Sequence, residues 1–221
     1  MEQLVCGIDV GTSAVRVLLC SLTGEVRGAG SSALAPVRTD GVRREQDAED
    51  WWRGVCAAAR QALGGVRAEA IAAVSVDATS GTIVAVDGDL KPLGPGIMYN
   101  DGRAAGYGER INAVAGEFCG RHGYRFKDDF SLAKLLWLQE HDAAFPRAHR
   151  ILHQSDFIVA RLAGEVTATD WSNALKSSRP RLSMSATRWA SRSPRSSRTM
   201  ALTVCQPRSR KAAHRRFPLW T

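Results

Sequence analysis

Leu4-Val5-Cys6-Gly7-Ile8-Asp9-Val10-Gly11-Thr12-Ser13-Ala14-Val15-Arg16-Val17-Leu18-Leu19-Cys20 is the stretch whose reading decides the fold. An apolar run ends in an acid, a short turn follows, and a second apolar run, broken by Arg16, leads away. Runs rich in Val, Ile and Leu have the character of buried strands. Gly11-Thr12-Ser13 is turn chemistry, so the two runs are expected to form a tight hairpin. Thr23-Gly24 then supplies a second turn, into a third and more polar strand. A carboxylate at a strand end beside a small hydroxylated turn suits one chemical task. Asp9 can hold a hydrated Mg²⁺, because hard cations take oxygen ligands and Mg²⁺ keeps most of its waters. Gly11 lets backbone amides approach a phosphate. Thr12 and Ser13 add hydroxyl donors to an anion-binding concavity of turn N–H groups, and Arg16 adds positive charge. In isolation the same residues also describe an Asp that hydrogen-bonds its own turn.

Outward from the hairpin, residues 25–45 read as a strand followed by a polar connection. Asp47 is expected to cap a helix with acids in its first turn, Trp51 or Trp52, Val55, Ala59 and Ala62 on one face, and Gly64-Gly65 at its end. The tryptophans read as core packing. Ala70–Val76 is a strand running into the polar turn Asp77-Ala78-Thr79-Ser80-Gly81, and Thr82–Val86 is another. Asp87-Gly88-Asp89 makes the next hairpin. Ile97-Met98-Tyr99 is a short strand ending in Asn100-Asp101-Gly102-Arg103, and a helix is expected over 103–118. Ser131 is expected to cap a helix through Glu140. A short helix or turn covers 142–149, and an apolar helix spans 156–162 up to Gly164. Strands mixed with helices in this order indicate an α/β fold.

Two strand ends carry polar clusters, Asp77 to Gly81 and Asn100 to Arg103. A polyol pocket needs several short donors and acceptors converging on one place, and Thr79, Ser80, Asn100, Asp101 and Arg103 are such groups. Spacing alone equally allows turns that satisfy their own backbone.

Six segments together carry a family resemblance: the opening D-x-G-T-S hairpin; Val74 to Val86; Met98-Tyr99-Asn100-Asp101-Gly102-Arg103, similar to a W-N-D-x-R element with Tyr for Trp; Ser131 to Leu138, similar to S-x-x-K-L-x-W-L; His153-Gln154-Ser155-Asp156-Phe157; and Thr169 to Lys176. The hairpin resembles the phosphate-binding hairpin of the actin, Hsp70 and sugar kinase superfamily. Residues 1–176 resemble the N-terminal domain of the FGGY carbohydrate kinases, and within them most nearly the D-ribulose kinase and xylulokinase group. The resemblance implies a ribonuclease H-like, actin-like ATPase domain, a mixed sheet flanked by helices. It implies ATP and Mg²⁺ as cofactors and a small sugar as substrate. On this reading Asp9 meets Mg²⁺ through water, and Gly11, Thr12, Ser13 and Arg16 serve the phosphates. Thr79, Ser80, Asn100, Asp101 and Arg103 orient the sugar, with Asp156 and Asn173 in a structural or pocket-edge role. It further implies a homodimer in the intact family member, while the cysteine pattern is that expected of a cytoplasmic protein.

At Lys176 the resemblance is expected to stop. The general-base aspartate, the adenine pocket and the FGGY signature belong to a C-terminal domain not recognisable in this sequence. Net charge divides at the same point. Of 30 Lys and Arg residues 11 fall in 177–221, which has no Asp or Glu, leaving 1–176 with 19 basic and 22 acidic residues. The overall +8 therefore comes from the tail, and 1–176 offers no electrostatic case for nucleic acid. The tail is expected to be disordered or translated out of frame, binding polyanions only non-specifically. No apolar run is long enough to cross a bilayer. The five cysteines lack metal or disulfide-framework spacing and read as reduced thiols. The chain is expected to bind sugar without turnover, giving no ADP above background from ATP, Mg²⁺ and D-ribulose. The alternative is a non-catalytic actin-like module that binds nucleotide or a protein partner.

Overall fold

Alternation along the opening stretch builds the first sheet. In β1 (Leu4–Val10) Leu4, Cys6, Ile8 and Val10 are buried, while Val5, Gly7 and Asp9 face the other way. The structure is a computed structural model and describes residues 2–166 and 168–177. β2 (Ala14–Ser21) returns antiparallel, pairing Asp9 with Arg16 and Val10 with Val15. Gly24, at φ 89°, turns the chain into β3 (Val26–Ala33), antiparallel to β2. The hairpin and third strand stand as expected. The buried-strand reading holds for one face only: Val5 is 37% and Leu18 43% exposed on the other. Outward Val and Leu hid the period of two that marks a half-covered strand.

α1 (Ala48–Leu63) covers the inner face. Asp47 accepts the Glu49 N–H at 3.0 Å, Glu49 and Asp50 occupy the first turn, and Gly64 ends the helix at φ 46°. Trp51, Val55, Ala59 and Ala62 are buried, and Trp51 meets Phe157 edge-on at 6.3 Å, so this tryptophan is core. Small residues bring helix and sheet together. A side chain at Gly28 would overlap the Ala62 carbonyl oxygen, and one at Gly30 the Ala58 carbonyl oxygen. These are backbone atoms of α1, which yield only if the helix lifts. Gly30→Val is accordingly expected to cost about 2–3 kcal/mol in urea denaturation. A loss below about 0.5 kcal/mol would show that α1 does not rest on β3 as described.

Beyond β3 the polar connection folds into a hairpin of its own, β4 (Arg38–Asp40) and β5 (Arg43–Gln46), turned at Gly41 with φ 54°. Sequence reading missed it because every residue of the two strands is polar, although Glu45 and Gln46 are buried. β6 (Ile71–Ala78) joins β1 in parallel, giving the order β3-β2-β1-β6. The chain then changes sheets. β7 (Ile83–Val86), β8 (Gly96–Ile97) and β9 (Arg150–His153) pair with the hairpin in the order β4-β5-β8-β7-β9, all antiparallel. α5 (Gln154–Ala163), closed by Gly164 at φ 76°, packs beside α1 on the shared core through Phe157, Ile158 and Ala160.

The single helix expected over 103–118 is two: α2 (Tyr107–Val114) and α3 (Gly116–His122), broken at Ala115 and preceded by turns. Gly106, at φ 82°, delays the start. α4 (Ser131–His141) begins one residue earlier than a Ser131 cap requires. Phe130 holds the cap position, and the Ser131 hydroxyl is buried without a hydrogen-bond partner among the described residues. A 3₁₀ turn (Phe145–Arg147) fills the 142–149 segment, and α6 (Trp171–Ser177) closes the described part. The expectation of disorder in the tail lies, apart from Ser177, outside the described residues. Among the described residues no helix is long and apolar enough to cross a membrane, and Cys6, Cys20, Cys56 and Cys119 are free thiols.

Candidate functional site

The parallel join of β1 and β6 places the two polar ends side by side. Asp9 pairs with Asp77 and Val10 with Ala78, so both strands finish at one edge. Each then turns into a segment singled out in the sequence: Gly11-Thr12-Ser13 after β1, Thr79-Ser80-Gly81 after β6. On the open face of the sheet a row runs Arg16, Asp9, Asp77 across β2, β1 and β6. Arg16 donates to Asp9 at 3.1 Å, both side chains being at least half exposed. A side chain at Gly11 would come within 3.8 Å of the Arg16 guanidinium and 3.2 Å of the Ala14 carbonyl oxygen. The guanidinium thus lies against the turn. A groove of about 790 Å³ lined by Asp9, Arg16, Ser31, Ser75 and Asp77 continues from this edge along the open face.

Gln46, passed over in the sequence, fixes the hairpin turn. Its Nε2 donates to the carbonyl oxygens of Thr12 at 2.8 Å and Ala35 at 2.9 Å, and its Oε1 accepts from Trp51 Nε1 at 3.0 Å. Ser13 contributes its carbonyl to the Leu34 N–H at 2.9 Å.

The first of the two polar tips, Thr79-Ser80-Gly81, is held from three helices. Gln154 of α5 accepts through Oε1 from the Thr79 N–H at 3.1 Å and hydroxyl at 2.6 Å. Lys176 of α6 donates to the Ser80 carbonyl at 3.0 Å, and Lys134 of α4 to the Gly81 carbonyl at 3.0 Å. Gly81, at φ 92°, sits in a turn closed by Thr82 N–H to Thr79 O. Two buried polar atoms here lack a partner among the described residues, Ser80 Oγ and Gln154 Nε2.

The second tip divides its residues. Asn100 is exposed. Asp101 is 1% exposed, and its carboxylate accepts from the Arg44 N–H at 2.6 Å and from Arg103 through N–H, Nε and Nη2 at 3.0, 2.7 and 2.9 Å. Arg103 also donates to buried Glu45 at 2.6 Å, lies over the Trp137 ring at 5.2 Å, and Arg38 joins Glu45 from outside. Burial pushes the Asp101 and Glu45 carboxyls up, but Arg103, joined by the Arg44 N–H at Asp101 and by Arg38 at Glu45, outweighs it and holds both below the usual carboxylate range. Direct sugar contact, expected of Asp101 and Arg103 alike, therefore does not describe Asp101. Its lone pairs are already spent on Arg44 and Arg103, and with Arg103 it stiffens the tip from beneath. Glu45 and Gln46 are neighbours, so β5 ties the second tip to the Thr12 turn.

Asp156 and Asn173 stitch the end of the domain. Asp156 Oδ2 accepts from the His153 N–H at 3.4 Å, and Asn173 Nδ2 donates to Ser155 Oγ at 3.0 Å. Lys134, Gln154 and Lys176 were quoted within the motifs without a role. Long side chains in apolar helices read as surface, and only the packing shows where their ends go.

Together the fold and this edge define an actin-like ATPase domain: a β1–β2 turn and a sheet-end polar cluster at the carboxyl ends of a parallel pair. The xylulose kinase from Rhodospirillum rubrum superposes with a TM-score of 0.71 at 23% identity, over 79% of this chain and 37% of that one. The chain belongs to the FGGY family of carbohydrate kinases, matching the family's N-terminal domain over residues 4–191. The match continues past Lys176, where the motif resemblance was expected to stop. The xylulose kinase of Streptomyces rubiginosus is 33% identical over 169 residues, 74% of this chain and 34% of that protein. That of Klebsiella pneumoniae is 33% identical over 174 residues, 76% and 35% respectively. The chain thus spans about a third of the length of the curated relatives it matches.

Proposed function

We propose that this chain is the phosphate- and sugar-gripping part of an ATP-dependent ketose kinase, which transfers the γ-phosphoryl group of ATP to a hydroxyl of a small sugar such as D-xylulose or D-ribulose. The single observation that carries the reading is the β1/β6 register, Asp9 beside Asp77 and Val10 beside Ala78. It supports a common edge for nucleotide phosphates and sugar. Phosphoryl transfer is mostly positioning and neutralisation of charge, and these residues are of the kind that position and neutralise.

In this reading the N–H groups of the Gly11 turn and the Thr12 and Ser13 hydroxyls receive the terminal phosphates, with Arg16 adding positive charge. Asp9 suits a hydrated Mg²⁺: its carboxylate is half exposed and Asp77 adds a second oxygen donor beside it. Among the described residues no group of three or more His, Cys, Asp or Glu assembles for a metal. When bound, Mg²⁺ neutralises phosphate charge. Thr79, Ser80 and Asn100 meet the sugar, and the buried Ser80 hydroxyl and Gln154 amide beside them have hydrogen-bonding capacity left unused. Asp101 holds its tip in place, and Arg103 does so from the same network.

Calorimetric titration of the chain with D-xylulose, D-ribulose and Mg-ADP tests this. Asp9→Ala is expected to weaken Mg-ADP by roughly tenfold and leave the ketose unchanged. Ser80→Ala or Asn100→Ala is expected to do the reverse, also by roughly tenfold. Nucleotide affinity with no ketose affinity would replace the reading by a non-catalytic nucleotide-binding module. Affinity for neither would overturn it.

A further inference from the structure

Lys134 is 0% exposed, among the most deeply buried side chains described. Its ammonium faces no carboxylate within ion-pair distance among the described residues. Instead it donates to three backbone carbonyls drawn from two segments: Gly81 at 3.0 Å, Met98 at 2.7 Å and Tyr99 at 3.0 Å. Those segments are the first and second sugar-side tips. An ammonium has three donors and no acceptor, so every proton is used and none remains for a ligand. Burying a cation with carbonyls alone is costly, and an apolar side chain of that length would fill the space at lower cost. What the ammonium supplies, and an apolar chain lacks, is a three-way tie between two loops that belong to different connections.

We propose that Lys134 is a positioning residue for the sugar side of the site: its protonated amine locks the Thr79–Gly81 turn to the Met98–Asn100 loop, so that the groups on both tips meet one ligand. The inference rests on the sugar-site reading above. Loss of the proton leaves an amine with two donors and a lone pair aimed among three carbonyl oxygens, so one tip must be released. The tie is therefore sensitive to charge. Burial pushes the Lys134 ammonium down to about 8, Asp101 and Asp129 hold it up, and Lys176 and Arg103 press it down. Among the described residues the charged and titratable groups that face it are these four, from the second tip, the loop before α4, and α6, together with His153 at the end of β9, which is neutral around pH 8, its imidazolium being pushed down to about 4.

The unsubstituted chain, titrated with D-xylulose and D-ribulose between pH ~6.5 and ~9.5, is expected to lose about fivefold in ketose affinity as the pH passes about 8, while Mg-ADP affinity moves less than twofold. Neither ketose titrates in that range. Lys134→Met is expected to bind ketose roughly tenfold more weakly at pH ~6.5, to have no further pH dependence, and to keep its Mg-ADP affinity. A part that is merely structural would weaken both ligands together. The profile of the unsubstituted chain needs no variant to fold. A flat profile, unchanged ketose binding in Lys134→Met, or parallel loss of Mg-ADP would overturn the inference and leave the sugar site standing. Absence of ketose binding by the unsubstituted chain at every pH would overturn the sugar-site reading and this inference with it.

Discussion

Arg103→Met will remove about 3–5 kcal/mol of folding stability, enough to unfold a marginal domain. Arg103 is the hub of a buried network. It donates to Asp101, 1% exposed, and to Glu45, 5% exposed, and is the foremost of the partners that hold both carboxyls below the usual range against burial. Methionine matches the stem but leaves two buried charges, of which Glu45 keeps Arg38 and Asp101 keeps only backbone N–H groups. An uncompensated buried charge, rather than the lost attraction, sets the size of the effect. The check is urea denaturation of Arg103→Met beside the double variant Arg103→Met/Asp101→Asn. Neutralising Asp101 is expected to recover at least about 1 kcal/mol of the loss. Additive losses in the double variant would show that the two groups do not share a network.

The second large effect is hidden in the unaltered chain. Burial pushes the His153 imidazolium down to about 4, with Asp170 opposing and Lys176 and Lys134 adding to it. Burial pushes the Asp156 carboxyl up to about 6, against hydrogen bonding that includes the His153 N–H. His153 has its stability in full above pH ~6.5 and loses about 3 kcal/mol as the pH falls to about 4, because the unfolded chain takes the proton first. Asp156 works in the other sense. Its buried ionised form costs about 3 kcal/mol above pH ~6, and that cost is relieved as the pH falls through 6 towards 3.8, because the folded chain takes the proton first. Over pH 4–6 the two nearly cancel. Asp156→Asn, which keeps an acceptor for the His153 N–H, is expected to expose the histidine. Its stability relative to the unsubstituted chain should drop by about 3 kcal/mol between pH ~6.5 and ~4 in denaturant titrations. His153→Gln should show the opposite slope. Parallel pH profiles for all three chains would mean that neither group is buried as described.

Much of this architecture was legible in the residues. The β1–β2 hairpin, the Asp47-capped helix with Trp51 inside, and the strand leading to Asp77 follow from local chemistry: turn glycines, a capping acid, apolar periodicity. The polar ends that form the candidate edge were visible for the same reason, since polar groups at strand ends stand out against apolar runs. Illegible were the β4–β5 hairpin, whose strands are wholly polar, and the break between α2 and α3. So too were the roles of Gln46, Lys134 and Gln154. Each of these three side chains has at least one partner 34 to 75 residues away in sequence.

The sequence by itself determined which residues are chemically able to grip phosphate and sugar, because side-chain type and turn chemistry are local properties. Only the tertiary structure decided that Asp9 and Asp77 end at one edge, and that Asp101 and Lys134 serve as internal ties. Strand register and the burial of a charge depend on what packs against them, and no window of sequence contains that.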